Sequence, residues 1–287
     1  MSKKVLITGA GGMLGSELLL HLSSRGYDIT GVDKDDFDLT NENLVRNYIF
    51  FKKPDVIIHT GAFTDVDTAE DIPELSNMIN VDGTRYVAQS SAKLGSYLIY
   101  ISTDYVFDGT KKNPYLETDE PNPINVYGKT KYLGEKEVER YAKNWLIVRS
   151  AWLFGEKRSS FPVKMYRKAL TYRYLRLVSD EIGSPTYAKD LAGGIVNLME
   201  RRETGIFHFV NSGEASRYDF AMKTLEYTGI KNVKIESILS SEFKTRAKRP
   251  KYSVLDTSKY AKIFGIPRGW EDALVAFLED YDISKIS

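Results

Sequence analysis

Short apolar runs and helical periodicities alternate through the first half of the chain. Residues 5–8, 28–32, 55–59, 97–102 and 145–149 are brief, largely apolar runs that predict strands. Between them, apolar positions recur at helical spacing over 13–24, 41–52, 74–93 and 127–141. Strands that are apolar on both faces and separated by helices predict a parallel sheet covered on both sides, with right-handed crossovers. The second half is less regular. Helices are expected over 161–171, 189–201, 217–228 and 270–280, and short strands over 175–179 and 206–210 that would extend the sheet. Ser216-Arg-Tyr-Asp219 has the form of a capping box, with Asp in the acidic position. Repeats, low-complexity tracts and linkers are missing, so a smaller lobe is expected to be interleaved with the sheet domain.

Length and composition narrow the class. At 287 residues the chain is long enough for about two domains, and such a chain buries about 75% of its unfolded surface. Hydrophobic residues make up 42% and charged residues 28%, with a net charge of +1. That balance argues against a broad nucleic-acid-binding or polybasic membrane surface. With no cysteine, thiolate metal sites, disulfides and cysteine nucleophiles are excluded. His21, His59 and His208 are scattered without zinc-ligand spacing, so no metal site is expected. No apolar run approaches the ~18 residues that span a bilayer, and the first residues run into a strand without a signal-peptide layout. The expectation is a cytoplasmic enzyme-sized protein.

Val5-Leu-Ile-Thr-Gly9-Ala-Gly-Gly12-Met-Leu-Gly15 places glycines three apart between the first strand and the first helix. Gly9 permits a tight turn, Gly12 lets backbone amides approach a pyrophosphate, and Gly15 allows close helix–strand packing. The spacing is one residue longer than Gly-x-Gly-x-x-Gly, but its position favours dinucleotide binding over an ordinary glycine-rich turn. Asp33 ends the second strand eighteen positions after Gly15. A carboxylate there suits an adenosine ribose and leans toward NADH, whereas Lys34 beside it suits the 2′-phosphate of NADPH. A Rossmann-type doubly wound α/β fold follows. Its dinucleotide-binding domain is expected over 1–155, continued by about 186–210, with a mainly substrate-binding C-terminal lobe over 156–287.

Tyr127-Gly-Lys-Thr-Lys131 stacks a phenol and an ammonium on one helix face. A nearby cation lowers a phenol's pKa and makes it a better proton donor. Alone, this spacing is common. Here it follows Ile101-Ser-Thr103-Asp-Tyr105-Val-Phe107-Asp-Gly109 at the end of the fourth strand, where parallel sheets bind ligands. Glycine turn, Ser-Thr and Tyr-x-x-x-Lys in this order resemble the extended short-chain dehydrogenases/reductases.

The resemblance narrows further. Thr64-Asp-Val-Asp67-Thr-Ala-Glu70, Ser102–Gly109, Pro114-Tyr-Leu-Glu-Thr-Asp119, Arg149-Ser-Ala-Trp-Leu-Phe-Gly155, Asp180-Glu-Ile-Gly-Ser-Pro-Thr186 and Arg249-Pro-Lys-Tyr-Ser-Val-Leu-Asp256 resemble segments of dTDP-4-dehydrorhamnose reductases. The resemblance implies hydride delivery from NADPH or NADH to the C4 ketone of a dTDP-6-deoxy-4-keto sugar. Tyr127 would protonate the developing alkoxide, Lys131 would hold the nicotinamide ribose and tune Tyr127, and Thr103 would bond near the sugar carbonyl. Gly9, Gly12, Met13, Leu14, Gly15, Asp33, Lys34, Asp38, Leu39 and Ala62 would complete the cofactor site. Asp104, Tyr105 and Trp152 would join Thr103 around the sugar. Arg249 is either a diphosphate clamp or a surface charge. Gly183-Ser-Pro-Thr186 is expected to shape the boundary between the lobes. Asn80 either braces backbone near the site or satisfies its own helix. The chain has Phe63 where the family usually has tyrosine, which removes one hydroxyl.

Two other readings stay open on sequence alone. One is another sugar-nucleotide enzyme, an epimerase or dehydratase. The other is a non-catalytic subunit resembling the β subunit of methionine adenosyltransferase, which acts by binding a catalytic partner. The expected partner is a dTDP-sugar substrate, with neither nucleic acid nor membrane. The sequence does not choose between a monomer and a homodimer.

Overall fold

A computed structural model describes residues 2–157 and 160–285. Residues 158, 159, 286 and 287 of the expected second lobe, and Met1 ahead of the first strand, lie outside the described residues. In chain order the first half contains β1 (Lys4–Thr8), α1 (Met13–Ser23), β2 (Asp28–Val32), α2 (Glu42–Lys52), β3 (Val56–His59), α3 (Val66–Asp71) and α4 (Pro73–Asn77). A π-helical turn over Met78–Gly83 joins α4 to α5 (Thr84–Leu94), and then come β4 (Tyr97–Thr103), α6 (Val126–Tyr141) and β5 (Asn144–Ser150). The rest comprises β6 (Leu153–Phe154), α7 (Phe161–Thr171), β7 (Tyr174–Val178), β8 (Ile182–Gly183), β9 (Thr186–Tyr187) and α8 (Ala188–Arg201). After these lie β10 (Gly205–His208), β11 (Ala215–Ser216), α9 (Arg217–Tyr227), β12 (Lys234–Ile238), α10 (Ser258–Phe264) and α11 (Trp270–Asp280).

Six strands form one parallel sheet in the order β10-β5-β4-β3-β1-β2. Alternate residues of each central strand feed opposite cores, as a pleated strand requires. Val5, Ile7, Val56, Ile58, Ile99 and Val148 pack with α1 and α8. Leu6, Ile57, Leu98 and Ile147 pack on the other face with α2, α5 and α6. This two-sided burial is why the strands read as unbroken apolar runs. The order reverses beside β1, which places the switch point next to the glycine turn. Among the described residues no helix is long and apolar enough to cross a membrane.

The second half is a patchwork. A separate aromatic core joins Phe154, Tyr187, Phe220, Trp270 and Phe277 from β6, β9, α9 and α11. The expected strand at 206–210 does extend the sheet, as β10 beside β5. The one at 175–179 does not: β7 pairs only with β12, apart from the main sheet. Its Tyr174 and Arg176 are exposed while Leu175 and Val178 are buried, and a strand with one wet face does not suit a sheet covered on both sides. The capping box of α9 forms as expected: the Ser216 hydroxyl accepts from the Asp219 amide at 3.0 Å, and the Asp219 carboxylate accepts from the Ser216 amide at 2.9 Å. The helix expected over 74–93 is interrupted by the π-turn.

Candidate active site

The carboxyl ends of β1, β3, β4 and β5 open into one cleft of about 800 Å³. Gly9, Gly12, Met13, Leu14, Gly15, Asp33, Lys34, Asp38, Leu39 and Ala62 line its cofactor-facing side. Tyr127, Lys131, Thr103, Asp104, Tyr105 and Trp152 line the remainder. Arg249 does not reach it.

Backbone crowding explains the glycine turn. Gly9 has φ +69°, and a Cβ there would lie 2.8 Å from the Gly61 Cα. At Gly15 a Cβ would sit 2.2 Å from the Gly9 carbonyl oxygen, so α1 can approach β1 only without a side chain. Gly12 caps α1 with no side-chain bond, leaving amides and the positive end of the helix dipole turned to the cleft. Asp33 ties this turn to β2: its carboxylate accepts from the Gly11 amide at 2.8 Å and from the Lys34 amide at 3.1 Å. Lys34 is exposed at the rim.

The loop after β3 is fixed from an unexpected direction. The Asn80 side chain accepts from the Phe63 amide at 2.8 Å and donates to the Phe63 carbonyl at 3.1 Å and to the Thr130 hydroxyl at 3.0 Å. Asn80 therefore braces the cleft wall against α6, the first of the two expectations for it. The π-turn carries this residue, and such turns recur at functional sites.

Asn125 caps α6 by accepting from the Gly128 amide at 2.7 Å, which sets Tyr127 in the first turn and Lys131 one turn later. Tyr127 meets the Tyr105 ring edge-on, with centroids 6.0 Å apart. Burial pushes the Tyr127 phenol well above its usual range; a hydrogen bond with Thr103 opposes this, while Asp104 and Tyr105 add to it. The expected lowering by Lys131 is therefore not what this arrangement produces. Burial dominates, and Tyr127 holds its proton at neutral pH. Burial lowers Lys131 to about 7, opposed by Glu135.

Asp104 is buried beneath Thr103. Its carboxylate accepts from the Thr103 hydroxyl at 3.0 Å and from the Ser253 hydroxyl at 2.6 Å. Burial raises it to about 6, although those two hydrogen bonds pull the other way. The Thr103 oxygen also accepts from the Tyr105 amide at 3.2 Å.

Trp152 has a left-handed backbone at φ +43°, a strained state for a bulky residue and one that often marks a functional position. Gly183 makes room for the indole: a Cβ there would lie 2.5 Å from the ring. Thr186 and Tyr187 of the same segment pair with β6, just beyond Trp152. The segment thus shapes one wall of the cleft. Over Trp152 lies the Arg217 guanidinium, 3.4 Å from the ring centroid. Sequence reasoning missed Arg217, which lines the cleft from the first turn of α9. The capping box located that helix start, but nothing local says where the next side chain points. Arg249 is engaged elsewhere. It grips Asp67 through Nη1 to Oδ1 at 3.2 Å and Nη2 to Oδ2 at 2.7 Å, and so fastens its own segment to α3. Of the two readings open for Arg249, a diphosphate clamp or a surface charge, this structure shows a third arrangement, an ion pair between distant parts of the chain.

The three histidines stand apart from this chemistry. His59 is bridged between the Thr8 and Thr84 hydroxyls at 2.7 and 3.2 Å. His208 is fully buried, and His21 lies on α1 away from the cleft.

Residues 3–283 match the family model described as the RmlD substrate binding domain. The spore coat polysaccharide biosynthesis protein SpsK of Bacillus subtilis is 38% identical over 277 residues, covering 96% of this chain and 97% of that protein. A dTDP-4-dehydrorhamnose reductase of Aggregatibacter actinomycetemcomitans is 38% identical over 284 residues, covering 94% of this chain and 97% of its own. The crystal structure of the Bacillus anthracis dTDP-4-dehydrorhamnose reductase in complex with NADP superposes with a TM-score of 0.95. It shares 38% identity and covers 98% of this chain and all of its own.

Proposed function

The chain belongs to the dTDP-4-dehydrorhamnose reductase family, and from that membership we propose that it reduces the C4 ketone of dTDP-4-dehydro-6-deoxy-L-mannose to give dTDP-L-rhamnose. It is an NAD(P)H-dependent oxidoreductase of nucleotide sugars. The observation that carries the finer reading is the convergence of Tyr127, Lys131, Thr103 and the glycine turn on one cleft.

A nicotinamide dinucleotide fits what the residues offer: a turn cleared of side chains, an open helix N-terminus, and a carboxylate and a cation at the end of β2. The Gly9–Gly15 backbone would hold the diphosphate, Asp33 a ribose hydroxyl, and Asp38, Leu39 and Ala62 the adenosine side. The Bacillus anthracis relative holds NADP, and Lys34 supplies the charge that a 2′-phosphate needs. NADPH is the expected donor, with NADH the alternative. When bound, the reduced cofactor supplies the hydride.

The chain's own contribution is proton donation and alignment. Tyr127 keeps its proton at neutral pH and gives it to the C4 oxygen as that oxygen becomes an alkoxide. Thr103 stands within hydrogen-bonding reach of the Tyr127 hydroxyl and helps to place it. Lys131 would hold the nicotinamide ribose beside Tyr127. Tyr105 and Trp152 enclose the sugar, and Arg217 makes the diphosphate contact that was one of two sequence readings of Arg249. The lobe built from β6–β9, α9 and α11 carries the sugar-nucleotide side.

The test is loss of reduced-nicotinamide absorbance with dTDP-4-dehydro-L-rhamnose, run with NADPH and with NADH, and identification of the product. Formation of dTDP-L-rhamnose is expected. Cofactor binding without turnover of any nucleotide sugar would overturn the reading in favour of a regulatory subunit.

A further inference from the structure

We propose that the aromatic face of Tyr100 holds the Lys131 ammonium aligned and, together with the charge of Glu135 one turn further along α6, favours its charged form, which makes Tyr100 a positioning residue for the Tyr127–Lys131 pair; its kinetic consequence rests on the reductase reading above.

Lys131 is 3% exposed, and its Nζ lies 4.1 Å from the centroid of the Tyr100 ring. Tyr100 sits on β4, fully buried, and its hydroxyl donates to the Lys131 carbonyl at 3.3 Å. One residue thus holds Lys131 at both its backbone and its charged end. The nearest anion is already engaged. Glu135, one turn further along α6, gives Oε1 to Arg149 Nε at 2.9 Å and Oε2 to Arg149 Nη2 at 2.7 Å, with both partners buried. Among the described residues none accepts a hydrogen bond from the Lys131 Nζ.

The other groups around Lys131 do not replace the ring. Tyr127 precedes it on α6 and holds its proton. His59 on β3 stands behind Tyr100, with ring centroids 5.7 Å apart. Burial, and then the charge of Lys131, depress His59 to about 3, so it is neutral. Arg149 on β5 acts through Glu135.

Choosing a ring over a carboxylate has a chemical consequence. A carboxylate would occupy the ammonium's N–H groups. A π face attracts the charge without accepting a conventional hydrogen bond, so the N–H groups not turned to the ring stay free for the cleft. The attraction strengthens in a desolvated site, which is where a buried ammonium needs it.

The test replaces Tyr100 by phenylalanine and then by 4-fluoro-, 3,5-difluoro- and 3,4,5-trifluorophenylalanine. The series keeps the shape while draining negative potential from the ring face. Lys131 is titrated by NMR with 13Cε-labelled lysine, its signal assigned by its loss in Lys131→Met, and the pH profile of turnover is recorded alongside. Tyr100→Phe is expected to leave the midpoint near that of the wild type. The fluorinated members should lower it stepwise by about one pH unit in all, and the turnover profile should follow. A midpoint that stays flat across the series would overturn the inference, because a ring that only fills space is indifferent to fluorination. A full drop already at Tyr100→Phe would assign the effect to the hydroxyl and overturn it as well. A midpoint that moves in a protein that turns over no nucleotide sugar would leave this inference standing and remove the reductase reading.

Discussion

The two sides of the cleft are built from different materials. On the glycine-turn side the backbone does the work: Gly9, Gly12 and Gly15 clear space, and α1 presents its amides. On the side of Trp152 the wall is made of side chains brought from far apart, with Arg217 of α9 over the indole and Ser253 beneath Asp104. The first surface suits a ligand shared by many enzymes, because phosphates need only amides and room. The second suits one particular ligand, since its shape depends on several packed side chains agreeing.

Substitutions can set one side against the other. The largest effect belongs to the group between them. Tyr127→Phe should lower turnover roughly 10²- to 10⁴-fold while leaving cofactor affinity and melting behaviour unchanged. Turnover near that of the wild type would remove Tyr127 as the donor.

Next comes a pH effect confined to the side-chain wall. Asp104 is raised by burial from 3.8 to about 6. A carboxyl raised in the folded state contributes stability below its unfolded value and loses it as pH climbs through the folded one. Between pH 4 and pH 7 the wild type should therefore lose roughly 2 kcal/mol relative to Asp104→Asn. Urea titrations of both proteins at both pH values measure this, and parallel pH dependence would contradict it.

On the backbone side, Gly15→Ala drives a methyl to 2.2 Å from the Gly9 oxygen. It should cost roughly 1–3 kcal/mol of stability and weaken dinucleotide binding at least tenfold, as read by fluorescence titration. Unchanged binding would mean that the α1 terminus is not the diphosphate site.

The smallest contrast lies between two arginines. Arg217→Met should raise KM for the sugar nucleotide about tenfold, the size of one lost charged hydrogen bond, and spare KM for the cofactor. Arg249→Met should leave both KM values alone and lower stability by about 1 kcal/mol, since its pair with Asp67 is partly exposed. The reverse pattern would restore Arg249 as the clamp.

The same division explains what the sequence disclosed. The glycine turn, Asp33 and the Tyr127–Lys131 pair were legible because each is fixed within a few residues or by its place after a strand. The central strands were legible because two-sided burial writes itself as a continuous apolar run. Arg217 was not, because its position depends on where α9 lands against Trp152, 65 residues earlier in the chain. β12 escaped for a similar reason: Lys234–Ile238 alternates weakly and becomes a strand only by pairing with β7. The shift of β7 out of the main sheet was in principle visible in the alternation of Tyr174-Leu-Arg-Leu-Val178, which a count of apolar residues overlooks. The π-turn at Met78–Gly83 has no composition signature, yet it carries the Asn80 brace.

The stretch from Arg246 to Ser253 has a consequence for how the protein is made. Arg246 reaches Asp71, Arg249 reaches Asp67, Lys248 accepts from Asn125, and Ser253 lies 149 residues after the Asp104 it satisfies. During synthesis Tyr127, Lys131 and the glycine turn leave the ribosome long before this strap does. Until it arrives, Asp104 lacks one of the two hydroxyls that hold it, and α3 lacks its ion pairs with this stretch. A nascent chain can assemble β1–β5 yet still be unable to align a proton donor, so competence appears late and all at once.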